Sequence, residues 1–327
     1  MNKLVSIITP CYNGEHYVRR FMDSILSQTY DSIELIFVND GSIDGTEDVV
    51  LSFQEKFKEK GIQFKYIYQE NKGLGGAINT GLKQVTGSYL CWPDSDDYLE
   101  PKSVEKRVQI LNTHPEYAVV TSDAYIRDIN FLDQKTRILA SNDRNKFQEN
   151  QFDLLLAGES IFCSGTHMMR MSAFLETHPN GQIYPCRRGQ NWQLLLPVYY
   201  KYKRYFLDEP LYNYIIYNSS MSQGDTTEEI KIYRSKEHEQ ILINTISSMA
   251  MDLVEKKKYI LQIRERYTRK NLTIAFEFGN KKLFFEQYKK LKSITKISLK
   301  DFILMLVLKS PKFIHKGLNK LKKILRT

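Results

Sequence analysis

The sequence predicts an α/β fold, with a mostly parallel central sheet flanked by helices and a helical C-terminal extension. Short apolar runs alternate with amphipathic helical stretches up to residue 113, and this alternation is typical of a parallel sheet covered on both faces. From residue 226 onward the pattern is helical throughout. We therefore expect a first domain over 1–225, which carries the functional site, and a helical, basic region over 226–327.

The positions of the apolar residues predict the individual elements. Tyr17, Val18, Phe21 and Ile25 recur at helical spacing, whereas 33–38 is an almost unbroken apolar run typical of a buried strand. Residues 124–150 are polar and suggest a hairpin followed by a loop. The predicted strands are 4–8, 33–38, 63–68, 88–92, 118–122, 205–207 and 211–216, and the predicted helices are 15–28, 44–60, 70–85, 101–113 and 190–200.

Composition narrows the class of protein. The chain has 327 residues, 42% of them hydrophobic, which is enough for a full core. Its four cysteines are far apart and show no metal-ligand spacing, as expected for free thiols in a reducing cytosol. The apolar run at 4–8 is too short for a signal peptide, and no run approaches the ~20 residues of a membrane-spanning helix. A cytoplasmic location is predicted.

The net charge of +9 belongs to the C-terminal end of the chain. From Lys281 onward there are 14 lysines and arginines and 2 acids. The residues before Lys281 include 33 lysines and arginines and 36 acids. The body is therefore not basic, and no nucleic-acid partner is predicted. Residues 312–325 have the pattern of a basic amphipathic helix, which favours an anionic membrane surface at the inner face of the cell membrane. Packing on the body, or on a second copy in a homodimer, is the alternative.

Three acids follow a buried strand. Asp94, Asp96 and Asp97 come directly after the apolar run 88–92. Carboxylates so close together repel one another, and a divalent cation removes that cost. Mg²⁺ and Mn²⁺ bind one or two carboxylates together with substrate phosphates. The cluster predicts a metal–diphosphate site, and an acidic turn that caps the next helix is the alternative.

Three other segments are expected beside these acids. Residues 9–14, 39–45 and 70–76 each follow a predicted strand, and ligands of such sheets bind at the carboxyl ends of the strands. Tyr12 could stack on a nucleobase, and Asp40 could accept a hydrogen bond from a base or a ribose. The alternatives are ordinary packing for Tyr12 and an Asx turn for Asp40. Glycines in 73–76 could bring backbone amides to a phosphate, or simply form a tight turn. Ile78 replaces the third glycine of a dinucleotide fingerprint, which argues against a nicotinamide dehydrogenase.

Four motifs then occur in order. They are Thr9-Pro10-Cys11-Tyr12-Asn13, Val38-Asn39-Asp40-Gly41-Ser42-Ile43-Asp44-Gly45-Thr46, Glu70-Asn71-Lys72-Gly73 with Ala77, Asn79 and Gly81, and Asp94-Ser95-Asp96-Asp97. Together they resemble the motifs of family 2 nucleotide-sugar glycosyltransferases, densely over the first 100 residues and more weakly to about 215. The resemblance implies an A-type glycosyltransferase fold, a nucleotide-sugar donor and inversion at the anomeric carbon. It also implies a divalent cation, Mn²⁺ or Mg²⁺, and it suggests uridine as the nucleoside.

The resemblance also implies roles for individual residues. Asp94 and Asp96 would hold the metal, and Asp96 would bridge it to the diphosphate. The residues assigned to the donor are Thr9, Tyr12, Asp40, Asn71, Gly75 and Asp94, and those assigned to catalysis are Asp96, Asp97, Asn191 and His167.

One stretch departs from the family pattern. Most relatives have an acidic pair with the general base at the start of a helix, and the matching residues here are Gln190 and Asn191. An amide cannot take a proton at neutral pH. These amides could hold an acceptor sugar, with Trp192 against its apolar face, or merely cap the helix. The base would then be another group, and the candidates are His167, Asp97, Asp123 and Glu159.

Three functions remain open at this point. The first is an inverting glycosyltransferase that builds a surface polysaccharide such as a capsule, with a glycan or lipid-linked saccharide as acceptor. The second is a catalytically weak relative that binds a nucleotide sugar or a partner enzyme, which the Gln190-Asn191 pair favours. The third is a sugar-phosphate nucleotidyltransferase, which would usually show a basic, glycine-rich loop after the first strand; residues 10–14 are not such a loop.

Overall fold

The computed structural model describes residues 2–132, 134, 137–217 and 226–309. The strands within these ranges all belong to one sheet, and they are β1 (Val5–Cys11), β2 (Ile33–Asp40), β3 (Gln63–Gln69), β4 (Tyr89–Cys91), β5 (Tyr98–Leu99), β6 (Tyr117–Asp128), β7 (Arg137–Ile138), β8 (His167–Arg170) and β9 (Lys203–Ile216). Their order across the sheet is β3-β2-β1-β4-β8-β6-β9-β5, with β7 paired to β6.

The helices divide between two compact units. The first unit comprises Met1–Ser220 with Asn244–Ala250, and the second comprises Met221–Ile243 with Met251–Thr327. The helices are α1 (Val18–Leu26), α2 (Thr46–Leu51), α3 (Gln54–Lys60), α4 (Gly73–Leu82), α5 (Ser103–Thr113), α6 (Phe152–Ala157), α7 (Met171–Thr177), α8 (Gln190–Lys201), α9 (Glu228–Ser248), α10 (Leu253–Glu277), α11 (Lys281–Ile294) and α12 (Leu299–Lys309). The division of roles between 1–225 and 226–327 stays a prediction.

The predicted α/β fold is confirmed, and its sheet is mixed. Strand β1 lies between β2 and β4 and runs parallel to both, and β3 runs parallel to β2. Every residue of β2 is buried, which explains why its sequence is almost continuously apolar. Beyond β4 the direction changes, because β8 runs antiparallel to both β4 and β6. The description "mostly parallel" therefore holds for the first half of the sheet only.

Several element boundaries differ from the predictions. The helix predicted over 44–60 is interrupted at Ser52–Phe53, where the Phe53 ring enters the core. The two strands predicted over 205–207 and 211–216 are one strand, β9, which pairs along β6 with irregularities in register near Asp123. Strand β8 carries no alternating pattern of its own. It is a strand because β4 and β6 bond to its two edges, and local sequence does not encode that pairing.

A buried carboxylate links the amino-terminal ends of β1, β2 and β3 and the residues before β4. Glu34, near the start of β2, is fully buried. It accepts hydrogen bonds from the backbone amides of Thr86 (2.7 Å) and Gly87 (3.0 Å), from the hydroxyls of Ser6 and Thr86, and from Lys65 Nζ at 2.8 Å. Burial opposes ionisation of Glu34, but the bonds from these groups outweigh it, so its pKa lies below the usual value.

We expect Glu34→Gln to lower the free energy of unfolding by about 3 kcal/mol at pH 7, because bonds to a buried charge are lost. The pKa is depressed on folding, so this contribution is complete above the ordinary glutamate value of 4.5 and is lost as the pH falls through the folded pKa. Urea titrations at several pH values test this. The difference between wild type and variant should shrink towards acid pH, and a constant difference would contradict the assignment.

The second unit contains its own apolar core. Leu272 of α10, Phe284 and Leu291 of α11, and Leu304 of α12 pack together out of contact with water. Asp252 caps α10 by accepting from the amides of Val254 and Glu255. No described helix is both long enough and apolar enough to span a bilayer. The basic helix predicted over 312–325 lies outside the described residues.

Candidate active site

The predicted site segments meet at one edge of the sheet. Strands β1 and β2 end side by side, with Cys11 opposite Asn39, and β4 ends on the other side of β1. Residues 12–14, 40–45 and 92–97 therefore leave the sheet at the same edge. This adjacency follows from the parallel pairing of the three strands.

Two of these loops are bonded to each other. The amide of Asn13 donates to Ser42 Oγ at 2.9 Å, and the side-chain oxygen of Asn13 accepts from the amide of Ile43 at 3.0 Å. The amide of Gly14 donates to Thr46 Oγ1 at 2.7 Å. Asn13 adopts a φ of +53°, a left-handed conformation that asparagine tolerates. These bonds hold the loop rigid while 49% of Tyr12 stays exposed.

Asp40 lies beside this loop at the end of β2. Its Oδ1 accepts hydrogen bonds from Gln69 Nε2 at 2.6 Å and from the amide of Lys72 at 2.9 Å. Both of these hydrogen bonds use Oδ1, so that Oδ2 can accept from a ligand. Thr9, in β1, is fully buried, and its hydroxyl lacks a partner in the described part of the chain. Asp40 is thus held in place with one acceptor to spare.

The glycine-rich segment serves close backbone packing. The amide of Gly75 donates to the carbonyl of Cys186 at 2.8 Å, and a Cβ on Gly75 would lie 2.8 Å from the Cys186 nitrogen. Asn71 is exposed, and its backbone nitrogen would lie 2.8 Å from a Cβ on Gly41, whose φ is +78°. The Gly75 amide is therefore engaged within the protein. Its assignment to the donor, like that of Asn71, stays a prediction.

The acidic loop after β4 is held by residues from distant parts of the chain. Asp94 accepts from the hydroxyl of Ser164. Buried Asp97 accepts from Tyr212 Oη at 2.9 Å and from the amide of Ile215 at 2.7 Å. The backbone carbonyl of Asp96 accepts from Arg20 Nη2 at 2.7 Å. The loop is therefore anchored at Asp94, at the backbone of Asp96 and at Asp97.

The three acids disfavour one another's charge. Burial raises the pKa of Asp94 to about 7, and the neighbouring Asp96 carboxylate adds to the rise. Burial also raises the pKa of Asp96, although Arg20 opposes the shift. The pKa of Asp97 lies well above its usual range because of burial and the charges of the other two acids. A cation at Asp94 and Asp96 would remove this repulsion.

The donor atoms fit a hard divalent cation. Asp94 and Asp96 offer carboxylate oxygens, which Mg²⁺ and Mn²⁺ prefer. No set of three or more histidine, cysteine, aspartate or glutamate side chains within the described ranges is arranged to hold a metal alone. A site here would therefore use two protein carboxylates and take its remaining ligands from a bound diphosphate and water.

The amide pair at the start of α8 is buried. Asn191 Oδ1 accepts from the indole nitrogen of Trp92 at 2.7 Å, and Asn191 Nδ2 donates to the carbonyl of Phe162 at 2.8 Å. An aspartate could make the first bond but not the second, because a carboxylate has no donor. Asn191 thus joins α8 to the residue that begins the acidic loop. Its role toward an acceptor stays a prediction.

The four candidates for the general base differ in burial. Asp97 and Asp123 are buried and accept bonds from within the protein. His167 is fully buried, stacks on Trp92 at 5.8 Å, and lies 2.9 Å from Thr121 Oγ1 through Nδ1. Burial, reinforced by two nearby arginines, lowers its pKa to about 3. Glu159 is exposed. The catalytic roles of Asp97 and His167 stay predictions, and their burial argues against proton exchange with a substrate.

Sequence reasoning did not find the residues that support the acidic loop. Tyr212 bonds to Asp97, and its ring lies against Gly165, where a Cβ would be 2.0 Å from the ring. Buried Arg107 donates to the carbonyl of Gly165 at 3.0 Å. Arg20 and Tyr217 both donate to the carbonyl of Asp96. None of these belongs to a local motif, and only contacts over more than 40 residues of sequence reveal them.

Comparisons with known proteins agree with this arrangement. The chain superposes on solved A-type glycosyltransferase structures. S. aureus TarS 1–349 in complex with UDP-GlcNAc has a TM-score of 0.63 at 17% identity, with 89% of this chain and 82% of that chain covered. A mannosyltransferase of Pyrobaculum calidifontis in complex with GDP-Man and Mn²⁺ has a TM-score of 0.55 at 16% identity, with 94% of this chain and 79% of that one covered. At these identities the likeness concerns the fold.

The family follows from the sequence match. The model "Glycosyl transferase family 2" matches residues 6–177, and the chain belongs to this family. An uncharacterized glycosyltransferase of Rickettsia prowazekii is 42% identical over 136 residues, which are 42% of this chain and 39% of that protein. The putative glycosyltransferase EpsH of Bacillus subtilis is 28% identical over 67% of this chain and 62% of its own length. The chain thus spans well under two thirds of the first of these relatives.

Proposed function

We propose that the protein is an inverting glycosyltransferase that moves a sugar from a nucleoside-diphosphate donor to a hydroxyl group of a saccharide. The observation that carries the proposal is the pair of carboxylates of Asp94 and Asp96 in one loop, at the same sheet edge as Asp40 and exposed Tyr12. Such a pair suits a cation and a diphosphate, while Tyr12 and Asp40 suit a nucleoside.

The donor would lie along this edge. The Tyr12 ring would stack on the base, and Oδ2 of Asp40 would accept from a base N–H or a ribose hydroxyl. Thr9, Asn71, Gly75 and Asp94 would complete the lining. The solved structures with UDP-GlcNAc and GDP-Man support a nucleotide-sugar donor, and uridine diphosphate is the nucleotide that we propose.

Asp94 and Asp96 would hold Mn²⁺ or Mg²⁺. When bound, the ion would neutralise the charge that develops on the departing diphosphate. The protein's contribution is to hold the Asp94 carboxylate through Ser164, and the backbone of Asp96 through Arg20 and Tyr217, before the donor binds. Such preorganisation is what makes electrostatic stabilisation effective.

The acceptor hydroxyl would attack the anomeric carbon from the face opposite the diphosphate, which gives inversion. A general base would take its proton. The amides of Gln190 and Asn191 leave this duty to Asp97, His167, Asp123 or Glu159. Among these four, Glu159 is the one that is exposed to solvent. The acceptor that we propose is a glycan or a lipid-linked saccharide of a surface polysaccharide such as a capsule.

A location at the cytoplasmic face of the membrane is part of the proposal. The excess of lysine and arginine from Lys281 onward, 14 against 2 acids, supports attraction to anionic lipid. The amphipathic pattern over 312–325 supports the same location. A homodimer that uses this region is the alternative.

Donor binding and turnover test the proposal directly. Thermal unfolding should be measured with a panel of UDP-, GDP- and dTDP-sugars, each with and without Mn²⁺, because a ligand that binds the native state raises the melting temperature. The best donor should then release its nucleoside diphosphate when a saccharide acceptor is added. If no nucleotide sugar shifts the melting temperature, the transferase proposal is wrong.

A nucleotide-sugar-binding relative with weak activity is the second candidate function. Asn191, in place of the family's acid, favours it, since both polar groups of the side chain are engaged within the protein. The two candidates differ in one result. A donor that raises the melting temperature but releases no diphosphate with any acceptor would identify the binding relative.

We expect Asn191→Asp to lower the free energy of unfolding by about 2 kcal/mol and to reduce transfer, although it restores the family's acid. The variant loses the bond to the Phe162 carbonyl and buries a charge beside it. Asn112→Asp is the matched control, because the Asn112 amide oxygen accepts from Tyr89 Oη and this acceptor is kept. Faster transfer by Asn191→Asp would instead identify position 191 as the place of the base.

Asn191→Ala distinguishes support of the loop from contact with the acceptor. Because Asn191 is bonded to Trp92, which precedes the acidic loop, we expect donor hydrolysis and transfer to fall by similar factors. A selective loss of transfer would show that Asn191 holds the acceptor.

A further inference from the structure

Helix α12 is apolar on the face that points away from the core. Leu304 and Leu308 lie in the core of the second unit, each 4% exposed. On the other side Leu299 is 75%, Phe302 44% and Leu306 50% exposed. These three residues follow the i, i+3, i+7 spacing of one helical stripe. An open apolar stripe of this kind marks a surface that contacts something other than water.

Exposed lysines are frequent in α11, in α12 and in the residues that join them. Between Lys281 and Lys309 the chain has eight lysines and two acids, and all eight lysines are exposed. Of the acids, Glu286 is exposed, while Asp301 is buried and accepts from Arg269 Nε at 3.1 Å and from the amide and hydroxyl of Ser298. The lysines are Lys281, Lys282, Lys289, Lys290, Lys292, Lys296, Lys300 and Lys309.

We propose that this α11–α12 surface, the eight lysines together with Leu299, Phe302 and Leu306, docks on an anionic lipid bilayer. The three apolar side chains would enter the boundary between headgroups and acyl chains, and the lysine ammonium groups would contact lipid phosphates. This deepens the membrane part of the proposed function. It assigns the contact to the exposed face of α12 and the lysines of α11, whereas the sequence pointed to residues 312–325 together with the apolar run 302–308.

Charge decides between a bilayer and the other occupants of an apolar stripe. A second copy of the chain would bring its own eight lysines against these, and like charges repel. Residues 310–327 contain six lysines and arginines and no acid, so they would be repelled in the same way. A nucleic acid would match the lysines but would offer nothing to the exposed leucines and phenylalanine. An anionic bilayer satisfies both features.

Vesicle sedimentation of the full chain tests the proposal. We expect partition onto vesicles of phosphatidylcholine and phosphatidylglycerol, and about tenfold less onto phosphatidylcholine alone. The double variant Phe302→Ser/Leu306→Ser should reduce partition about tenfold. The double variant Lys289→Glu/Lys296→Glu should reduce it by a similar factor and make it less sensitive to salt.

Two matched controls accompany these variants. Leu253→Ser/Val254→Ser removes two exposed apolar side chains from the start of α10, beside Asp252 and Glu255. Lys60→Glu/Lys102→Glu makes the same change in net charge in the first unit. Both controls should partition like the wild type, and all variants should melt within a few degrees of it.

The outcomes separate the alternatives. If the α12 and α11 variants partition like their controls, the surface does not dock on lipid and the proposal is wrong. It is equally wrong if the wild type dimerises or binds RNA through these residues and ignores vesicles. Release of nucleoside diphosphate without vesicles should be the same in all variants. Its absence in the wild type would refute the transferase proposal and leave the lipid result standing.

Discussion

Asp96→Ala is expected to reduce sugar transfer by about a thousandfold while the protein keeps its melting temperature. Loss of one of two carboxylate ligands would remove several kcal/mol of stabilisation of the departing diphosphate, and each 1.4 kcal/mol is a factor of ten in rate. The fold should not suffer, because the Asp96 carboxylate raises the pKa values of Asp94 and Asp97 through repulsion. Release of nucleoside diphosphate and thermal unfolding, measured with Mn²⁺, give the two quantities.

The combination of results is diagnostic. Replacing a side chain that stabilises the fold would lower activity and stability together, whereas replacing a metal ligand would lower activity alone. Asp31→Asn is the control, because Asp31 is exposed just before β2, at the opposite edge of the sheet. Near-normal turnover by Asp96→Ala would show that the acidic loop is an acidic turn, and the proposed chemistry would fail.

Gly165→Ala is expected to destabilise the protein by about 3 kcal/mol and to lower transfer at least about tenfold. The added Cβ would lie 2.0 Å from the ring of Tyr212. The ring has no room to move away, because Tyr212 is fully buried and its hydroxyl donates to Asp97 at 2.9 Å. A displaced ring would disturb Asp97 and with it the acidic loop. Urea unfolding and initial rates measure the two effects.

A double-mutant cycle identifies the clash as the cause. In a Tyr212→Ala background, Gly165→Ala should cost less than about 1 kcal/mol, since the ring that it strikes is gone. Gly61→Ala is the control, because Gly61 has a φ of +75° and nothing within 4 Å; backbone strain alone should cost it about 1 kcal/mol. If the two substitutions are additive, Gly165 does not act through Tyr212.

The sequence predicted the first half of the sheet well. Strands β1 and β2 are buried runs and β3 is a half-buried one, and their apolar residues mark all three directly. Their parallel pairing follows from the intervening helices. The strand pattern alone therefore places the loops with Tyr12, Asp40 and Asp94 at one edge of the sheet. The second half was predicted less well. Strand β8 owes its conformation to the strands on either side. The hairpin predicted within 124–150 is confirmed, because the end of β6 pairs antiparallel with β7.

The sequence likewise predicted some features of the candidate site and missed others. The sequence indicated Asp94, Asp96 and Asp97 because acids after an apolar strand are locally visible. It could not show that Asp97 accepts a hydrogen bond from Tyr212, or that Asn191 accepts one from Trp92. These partners are 115 and 99 residues apart in the chain. Burial of His167 was equally hidden, because a single histidine shows its surroundings only in three dimensions.

The amino-acid sequence by itself determined the α/β class, the family motifs and the position of the acidic cluster, because periodicity and short motifs are local properties of the chain. Tertiary structure alone decided which groups are free to act. It engaged the amide of Gly75 and enclosed Asp97, and it bonded the backbone of Asp96 to Arg20. It also left an apolar stripe of α12 exposed to solvent. The physical reason is that burial and hydrogen bonding depend on contacts between distant segments, which only the packed chain brings together.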